Sequence, residues 1–266
     1  MLLAIDVGNT NVVLGVFDGE ELVDSWRLAT LGERTADELG ILVSSLFLDR
    51  NIDRSQITGV IMASVVPPLT GTITTMVEQY LGLQVQLVEA TTDIGMSVRY
   101  DNPQEVGADR LVNGVAAFER HGRAKNVPVI VVDFGTATTF DAISIEGEYL
   151  GGVICPGVQI SSDALFQHAA RLPRVEMRKP PQLIGRTTVG SIQSGLFYGY
   201  VALVEGIVQR LKSELDGEQA QTICIATGGM ADVIANETDL IEHLEPNLVL
   251  HGLQMIWERI RHDEAL

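Results

Sequence analysis

Apolar residues run from Leu2 to Val7, stop at Gly8-Asn9-Thr10, resume from Val12 to Phe17, stop at Asp18-Gly19, and run again from Glu21 to Leu28. Short apolar runs bounded by turn residues predict strands, here three joined into a meander. The period then changes. Between Thr35 and Asp49, Leu39, Leu42, Val43, Leu46 and Phe47 recur at helical spacing, and Thr35 with Glu38 forms a Thr-x-x-Glu capping pattern. Buried strands are predicted at Gly59 to Val66 and Gln84 to Val88, flanking a helix from Pro68 to Leu81; this alternation favours parallel pairing.

From Val127 the opening pattern returns: an apolar run to Val132, then Asp133-Phe134-Gly135-Thr136, a second run to Ile145, a turn at Glu146-Gly147, and a third run from Tyr149. Asp6 aligns with Asp133, Gly8 with Gly135, Asn9 with Thr136 and Gly19 with Gly147, with one residue inserted between. One Asp-x-Gly is an ordinary strand-ending turn; two, each opening a meander, argue for duplication. Helical periodicity marks Gln159 to Ala170, Thr188 to Leu215 and Leu248 to Arg261, and a strand from Thr222 to Ala226 ends in Thr227-Gly228-Gly229. Gly195 and Gly199 stand at Gly-x-x-x-Gly spacing on a helix that also carries Gln193, Tyr198 and Glu205, which predicts close helix packing, within the chain or between subunits, outside any membrane. The repeat divides the chain near Gly114 to Asn126, into α/β domains over 1–115 and 116–266.

Composition narrows the partners. With 35 acidic and 18 basic residues the formal net charge is −17, which repels nucleic acid and anionic lipid alike. The same charge opposes a nucleotide, so a phosphate site here must use backbone N–H groups, helix termini and a bound cation. Cys155 and Cys224 each lie in an apolar run, and the five histidines never adopt zinc-ligand spacing. No apolar run is long enough to span a bilayer and no basic leader precedes Asp6, so a cytoplasmic location is expected.

Neither Gly-x-x-x-x-Gly-Lys-Ser/Thr nor any Gly-x-Gly occurs, which removes the P-loop, protein kinase and Rossmann readings. What remains is a pair of turns in which glycine admits phosphate to the backbone, Asn or Thr donates hydrogen bonds, and Asp can hold a hydrated cation. Facing each other, they would grip a polyphosphate. Thr227-Gly228-Gly229-Met230 suits close approach of an adenine and ribose, or is a plain strand-to-helix connection. Gly107-Ala108-Asp109-Arg110 reads by itself as a helix N-terminus with Asp109 as cap ahead of Leu111, Val112 and Val115.

Taken in order, Asp6-Val-Gly-Asn-Thr-Asn11, Gly107-Ala-Asp-Arg110, Asp133-Phe-Gly-Thr-Ala-Thr138, and Thr188 leading to Ser191-Ile-Gln-Ser-Gly195 resemble type III pantothenate kinase, over nearly the whole chain. The resemblance implies the actin-like ATPase superfamily: an α/β protein of two duplicated actin-like (ribonuclease H-like) domains, with mixed sheets flanked by helices and nucleotide bound between them. It implies ATP-dependent phosphorylation of pantothenate to 4′-phosphopantothenate, the first step of coenzyme A biosynthesis. Asp6, Val7, Gly8, Asn9, Thr10, Asn11, Val12 and Val13 would form the first phosphate loop, with Asp6 near Mg2+ through water. Thr136 would contact ATP, and Asp133 would sit beside a monovalent cation, K+ or NH4+. Tyr100, Gly107, Ala108, Asp109, Arg110 and Thr188 would line the pantothenate pocket, with Asp109 as general base. A homodimer is implied, its pocket completed across the interface. Two other readings stay open: a regulatory relative without turnover, which the retained carboxylates at 6, 109 and 133 oppose, and another kinase or phosphatase of the superfamily.

Overall fold

The computed structural model describes residues 1–89, 91–169, 172–216 and 221–264. Two compact units divide the chain: unit 1 holds Met1–Met96, Tyr100–Ala116 and Asn247–Leu266, and unit 2 holds Ser97–Arg99 and Ala117–Pro246.

Unit 1 begins with β1 (Leu2–Val7), β2 (Asn11–Asp18) and β3 (Glu21–Ala29), an antiparallel meander, followed by α1 (Ala36–Asp49), β4 (Gly59–Ser64), α2 (Pro67–Leu81) and β5 (Val85–Leu87). The sheet order is β3-β2-β1-β4-β5, with β4 and β5 added in parallel as the alternation predicts. The expected capping box starts α1: Thr35 Oγ1 accepts from the Glu38 N–H at 3.2 Å, and Glu38 Oε2 accepts from the Thr35 N–H at 2.8 Å. Two orphan amides are thereby satisfied at the helix start. Alternate residues Leu3, Ile5 and Val7 of β1 face Val43 and Phe47 of α1 and Ile73 and Val77 of α2, which forms one hydrophobic layer. After β5 the unit contributes α3 (Ala108–Ala117).

Unit 2 repeats the path with β6 (Val129–Phe134), β7 (Ala137–Ile143), β8 (Tyr149–Pro156), α4 (Val158–His168), α5 (Thr188–Leu215), β9 (Ile223–Gly228), α6 (Ala231–Ala235) and β10 (His243–Leu244). Its sheet order, β10-β9-β6-β7-β8, is that of unit 1 read from the other edge, with the same parallel and antiparallel neighbours. The duplicated α/β architecture is therefore present. Ile130, Val132 and Phe140 pack against Phe197, Val204 and Val208 of α5. The helix expected over Gln159 to Ala170 is α4, and Ala170 lies outside the described residues.

The last helix, α7 (Leu248–Glu264), belongs to unit 1 and covers the sheet face opposite α1 and α2. A Cβ at Gly59 would stand 2.2 Å from the Trp257 ring, and one at Gly15 would stand 2.8 Å from Leu250 Cδ1. The helix approaches this closely because those positions carry no side chain. The packing expected at Gly195 and Gly199 is not made within the described chain, since a Cβ at either meets nothing within 4 Å. Among the described residues, no helix is long and apolar enough to cross a membrane.

Candidate active site

In unit 1 the ladder between β1 and β2 ends at the pair Val7 and Val12, leaving Gly8, Asn9, Thr10 and Asn11 as the first turn. Gly8 donates its N–H to the Asn11 carbonyl at 3.0 Å. Val7 and Val12 bury their side chains, so they offer a ligand only backbone, whereas Asn9 and Thr10 are exposed. Asp6, opposite Val13, lies two residues before the bend with its Oδ1 shielded from solvent. A residue outside the motif completes the turn. Thr30, just past β3, donates its N–H to the Thr10 carbonyl at 2.9 Å and its Oγ1 hydroxyl to the Gly8 carbonyl at 2.7 Å.

The Gly107–Arg110 segment stands at the same end of this sheet. Val65 continues β4 by donating its N–H to the Val7 carbonyl at 3.0 Å, and a Cβ at Gly107 would lie 3.6 Å from Val65 Cγ1. The reading of Asp109 as helix cap is overturned. Helix α3 starts at Ala108, and the carbonyl of Gly107 accepts from Arg110 at 3.1 Å and Leu111 at 3.3 Å, which puts Asp109 inside the first turn. There its Oδ1 accepts the Arg110 N–H at 2.9 Å. Burial pushes the Asp109 carboxyl above its ordinary range, opposed by that N–H and by the Arg110 charge. Tyr100, half-buried, also belongs to unit 1.

In unit 2 the second turn is shorter: only Gly135, Thr136 and Ala137 separate the paired Phe134 and Thr138. Asp133 is half-buried between Thr139 on β7 and Thr227 on β9, and Thr136 is exposed. Gly228, at φ +89°, packs so closely that a Cβ would lie 2.5 Å from Asp133 Oδ1. The third glycine turn is thus a direct neighbour of the second motif. Gly157, the residue before α4, lies against the turn from the other side, where a Cβ would fall 2.1 Å from the Thr136 carbonyl oxygen. Thr188 also lies in unit 2, as the exposed first residue of α5, behind Thr187, whose hydroxyl accepts from Gly190 at 3.0 Å.

Sequence patterning passes over two residues here. Thr30 has no local signature, being a threonine at a strand end. Asp141 is fully buried on β7 and accepts from the Tyr149 hydroxyl at 2.7 Å and from Thr139 Oγ1 at 3.2 Å. A carboxylate between Phe140 and Ala142 in an apolar strand is the signal that could have marked it, since a buried charge requires partners.

Oxygen atoms of Asp, Asn and Thr side chains are the donors at both turns, a set suited to hard cations and not to zinc. The family model described as type III pantothenate kinase matches residues 2–210. Over 259 residues the chain is 53% identical to a type III pantothenate kinase of Myxococcus xanthus (strain DK1622), covering 97% of this chain and 98% of that one. A type III pantothenate kinase of Moorella thermoacetica is 51% identical over 259 residues, covering 97% and 99%. Among solved structures, one from Campylobacter jejuni described as a Baf family transcriptional activator matches with a TM-score of 0.57 at 19% identity, over 99% of this chain and 100% of that one. The ethanolamine utilization protein EutJ from Carboxydothermus hydrogenoformans matches with a TM-score of 0.51 at 12% identity, over 96% and 89%. At such low identity these two structures speak for a shared fold alone. The sequence matches go further, running nearly end to end at about half identity, and on that basis the chain belongs to the type III pantothenate kinase family.

Proposed function

We propose that Asp109 and the two glycine turns carry the reaction of this chain, the ATP-dependent phosphorylation of pantothenate to 4′-phosphopantothenate that opens coenzyme A biosynthesis. The observation that carries the assignment is the Asp109 carboxylate: desolvated, fixed by the Arg110 N–H, and set at the end of the sheet that bears the first turn. Burial raises its proton affinity, which suits a group that must accept a proton. Asp109 takes the proton of the pantothenate primary hydroxyl as that oxygen bonds to the γ-phosphorus and ADP leaves. Because the transition state is loose, the proton moves late, and holding the hydroxyl in line matters as much as basicity. Arg110, always charged, holds the substrate carboxylate or balances charge developing on the transferred group. Tyr100, Gly107, Ala108 and Thr188 complete the pantothenate contacts.

Residues 6–13 bind the ATP phosphates largely through backbone, and Thr136 contacts the nucleotide from the second turn. Asp6 fits a hydrated Mg2+, and Asp133, enclosed by Gly228 and bordered by Thr139, fits K+ or NH4+. Magnesium, when bound, neutralises charge on the β- and γ-phosphates. A homodimer is supported by exposed apolar side chains in unit 2, among them Ile154 at 62%, Leu183 at 63% and Ile184 at 79% exposure, and by the open Gly195 and Gly199 positions. A cytoplasmic setting agrees with two unpaired cysteines, of which Cys224 has its thiol pushed up to about 12 by burial. The net charge of −17 disfavours nucleic acid and anionic membrane as partners.

Incubation with ATP, Mg2+, K+ and pantothenate tests the reading. Mass spectrometry is expected to show phosphopantothenate and ADP in equal amounts, with a lower rate when K+ is replaced by Na+. No product at any ATP concentration overturns it.

A further inference from the structure

We infer that Thr30 is a positioning residue which turns the peptides of the first turn so that their N–H groups are presented to phosphate; this rests on reading residues 6–13 as a phosphate loop. Thr30 lies beyond the motif, and two of its atoms grip the turn, the N–H on the Thr10 carbonyl at 2.9 Å and Oγ1 on the Gly8 carbonyl at 2.7 Å. The described residues contain no cis peptide bond, and in a planar trans amide the N–H points opposite to the C=O. With the Gly8 and Thr10 carbonyls drawn toward Thr30, the N–H groups of Asn9 and Asn11 therefore face away from it. The Gly8 N–H is already committed to the Asn11 carbonyl. Thr30 thus leaves the Asn9 and Asn11 amides aimed to the side away from the brace, where backbone N–H groups can donate to an anion.

The hydroxyl has a particular task within this brace. The Thr30 N–H bond extends the pairing of β2 with β3 and would survive loss of the side chain. Among the described residues the Gly8 carbonyl accepts from the Thr30 hydroxyl alone, and glycine itself imposes little restraint on that peptide's rotation. Without Oγ1, the Asn9 amide loses its fixed direction. In unit 2 the corresponding strand end leads to Gly157, which has no side chain to serve as such a brace and meets the turn by backbone contact.

The test compares full-length Thr30→Val, which keeps the shape but removes the donor, with Thr30→Ser, which restores it. Initial rates are measured with ATP and pantothenate varied separately, alongside thermal unfolding. Thr30→Val is expected to raise the KM for ATP about tenfold, the scale of one hydrogen bond, while the KM for pantothenate and the Tm stay near wild type. Thr30→Ser should return the ATP value close to wild type. An unchanged ATP KM in Thr30→Val, an equal rise in both KM values, or a serine variant as weak as valine overturns the inference. Calorimetric titration with a non-hydrolysable ATP analogue and Mg2+ separates this from the parent reading. A wild-type protein that binds the analogue but forms no phosphopantothenate removes the kinase assignment, whereas equal affinity of wild type and Thr30→Val removes Thr30.

Discussion

In unit 1 the bend after β1 has four residues and is held by the hydroxyl and amide of Thr30; in unit 2 the bend after β6 has three and is enclosed by backbone at Gly157 and Gly228. The sheets that present them share one topology, so the strands do not explain the difference. A brace made by a side chain can be weakened stepwise by substitution. A bend wedged between glycines tolerates little that is larger, because most of the atoms that a Cβ would meet at Gly157 and Gly228 are backbone and cannot move aside. The chemistry is also unequal: Asp109, a half-buried helical carboxylate, belongs to the segment at the end of the unit 1 sheet that bears its turn. Duplication supplied two similar frames, and in our reading both turns contact nucleotide while unit 1 alone bears the reacting group.

The largest test of that asymmetry is Asp109→Asn, expected to lower kcat by about 10²- to 10⁴-fold while binding of an ATP analogue is retained. A rate near wild type would remove Asp109 from the mechanism. The same residue sets a pH dependence. Because burial raises its pKa, the active charged form is lost as pH falls through a value above the ordinary carboxylate range, so the acid limb of kcat should lie higher than for an exposed Asp. The stability sign is opposite. Burial penalises the ionised form, and this penalty is absent below the unfolded pKa of about 3.9 and imposed as pH rises. Asp109→Asn should therefore have a higher Tm than wild type at neutral pH, with the gap closing in acid.

Next in size is Gly157→Ala, where a methyl must displace the Thr136 carbonyl; a loss of about 1–3 kcal/mol in chemical denaturation is expected, together with weaker ATP binding. Gly135→Ala should do less. The nearest atom to its Cβ would be the Ala137 carbonyl oxygen at 3.5 Å, an ordinary contact, so unfolding should shift by no more than about 0.5 kcal/mol while affinity for ATP falls. If Gly135→Ala unfolded as readily as Gly157→Ala, the distinction between a glycine kept for packing and one kept for ligand access would fail.

Much of the frame was legible because each strand and long helix carries its own periodicity: β1, α1 and α5 fall where apolar spacing and caps place them. The alignment of the two repeats was legible only in part. The single inserted residue is the net of three changes: a second turn one residue shorter, a second strand one residue shorter from Thr138 to Ile143 than from Val12 to Asp18, and a longer following hairpin, with five residues between Ile143 and Tyr149 against two between Asp18 and Glu21. Periodicity cannot separate compensating changes inside loops. The motif carboxylates stood out by their company with glycine. Thr30 did not, because its importance lies in a contact 22 residues away, and Asp141 is explained only once Tyr149 is seen beside it. Strand β10 spans two residues, too few for any periodic signal.

Helix α7 comes after unit 2 in the chain, yet it covers β1, β2 and β4 of unit 1, with Trp257 over Gly59. A ribosome making this polypeptide from its amino end delivers the first sheet early and its cover late. Unit 2 apart from Ser97–Arg99 emerges as one unbroken stretch and can finish its core first, while the sheet bearing Asp6 keeps one apolar face open to water or to a chaperone. Maturation of the first turn is thereby tied to synthesis of the segment that follows unit 2, and termination before Leu248 would yield a chain with its first sheet half clothed.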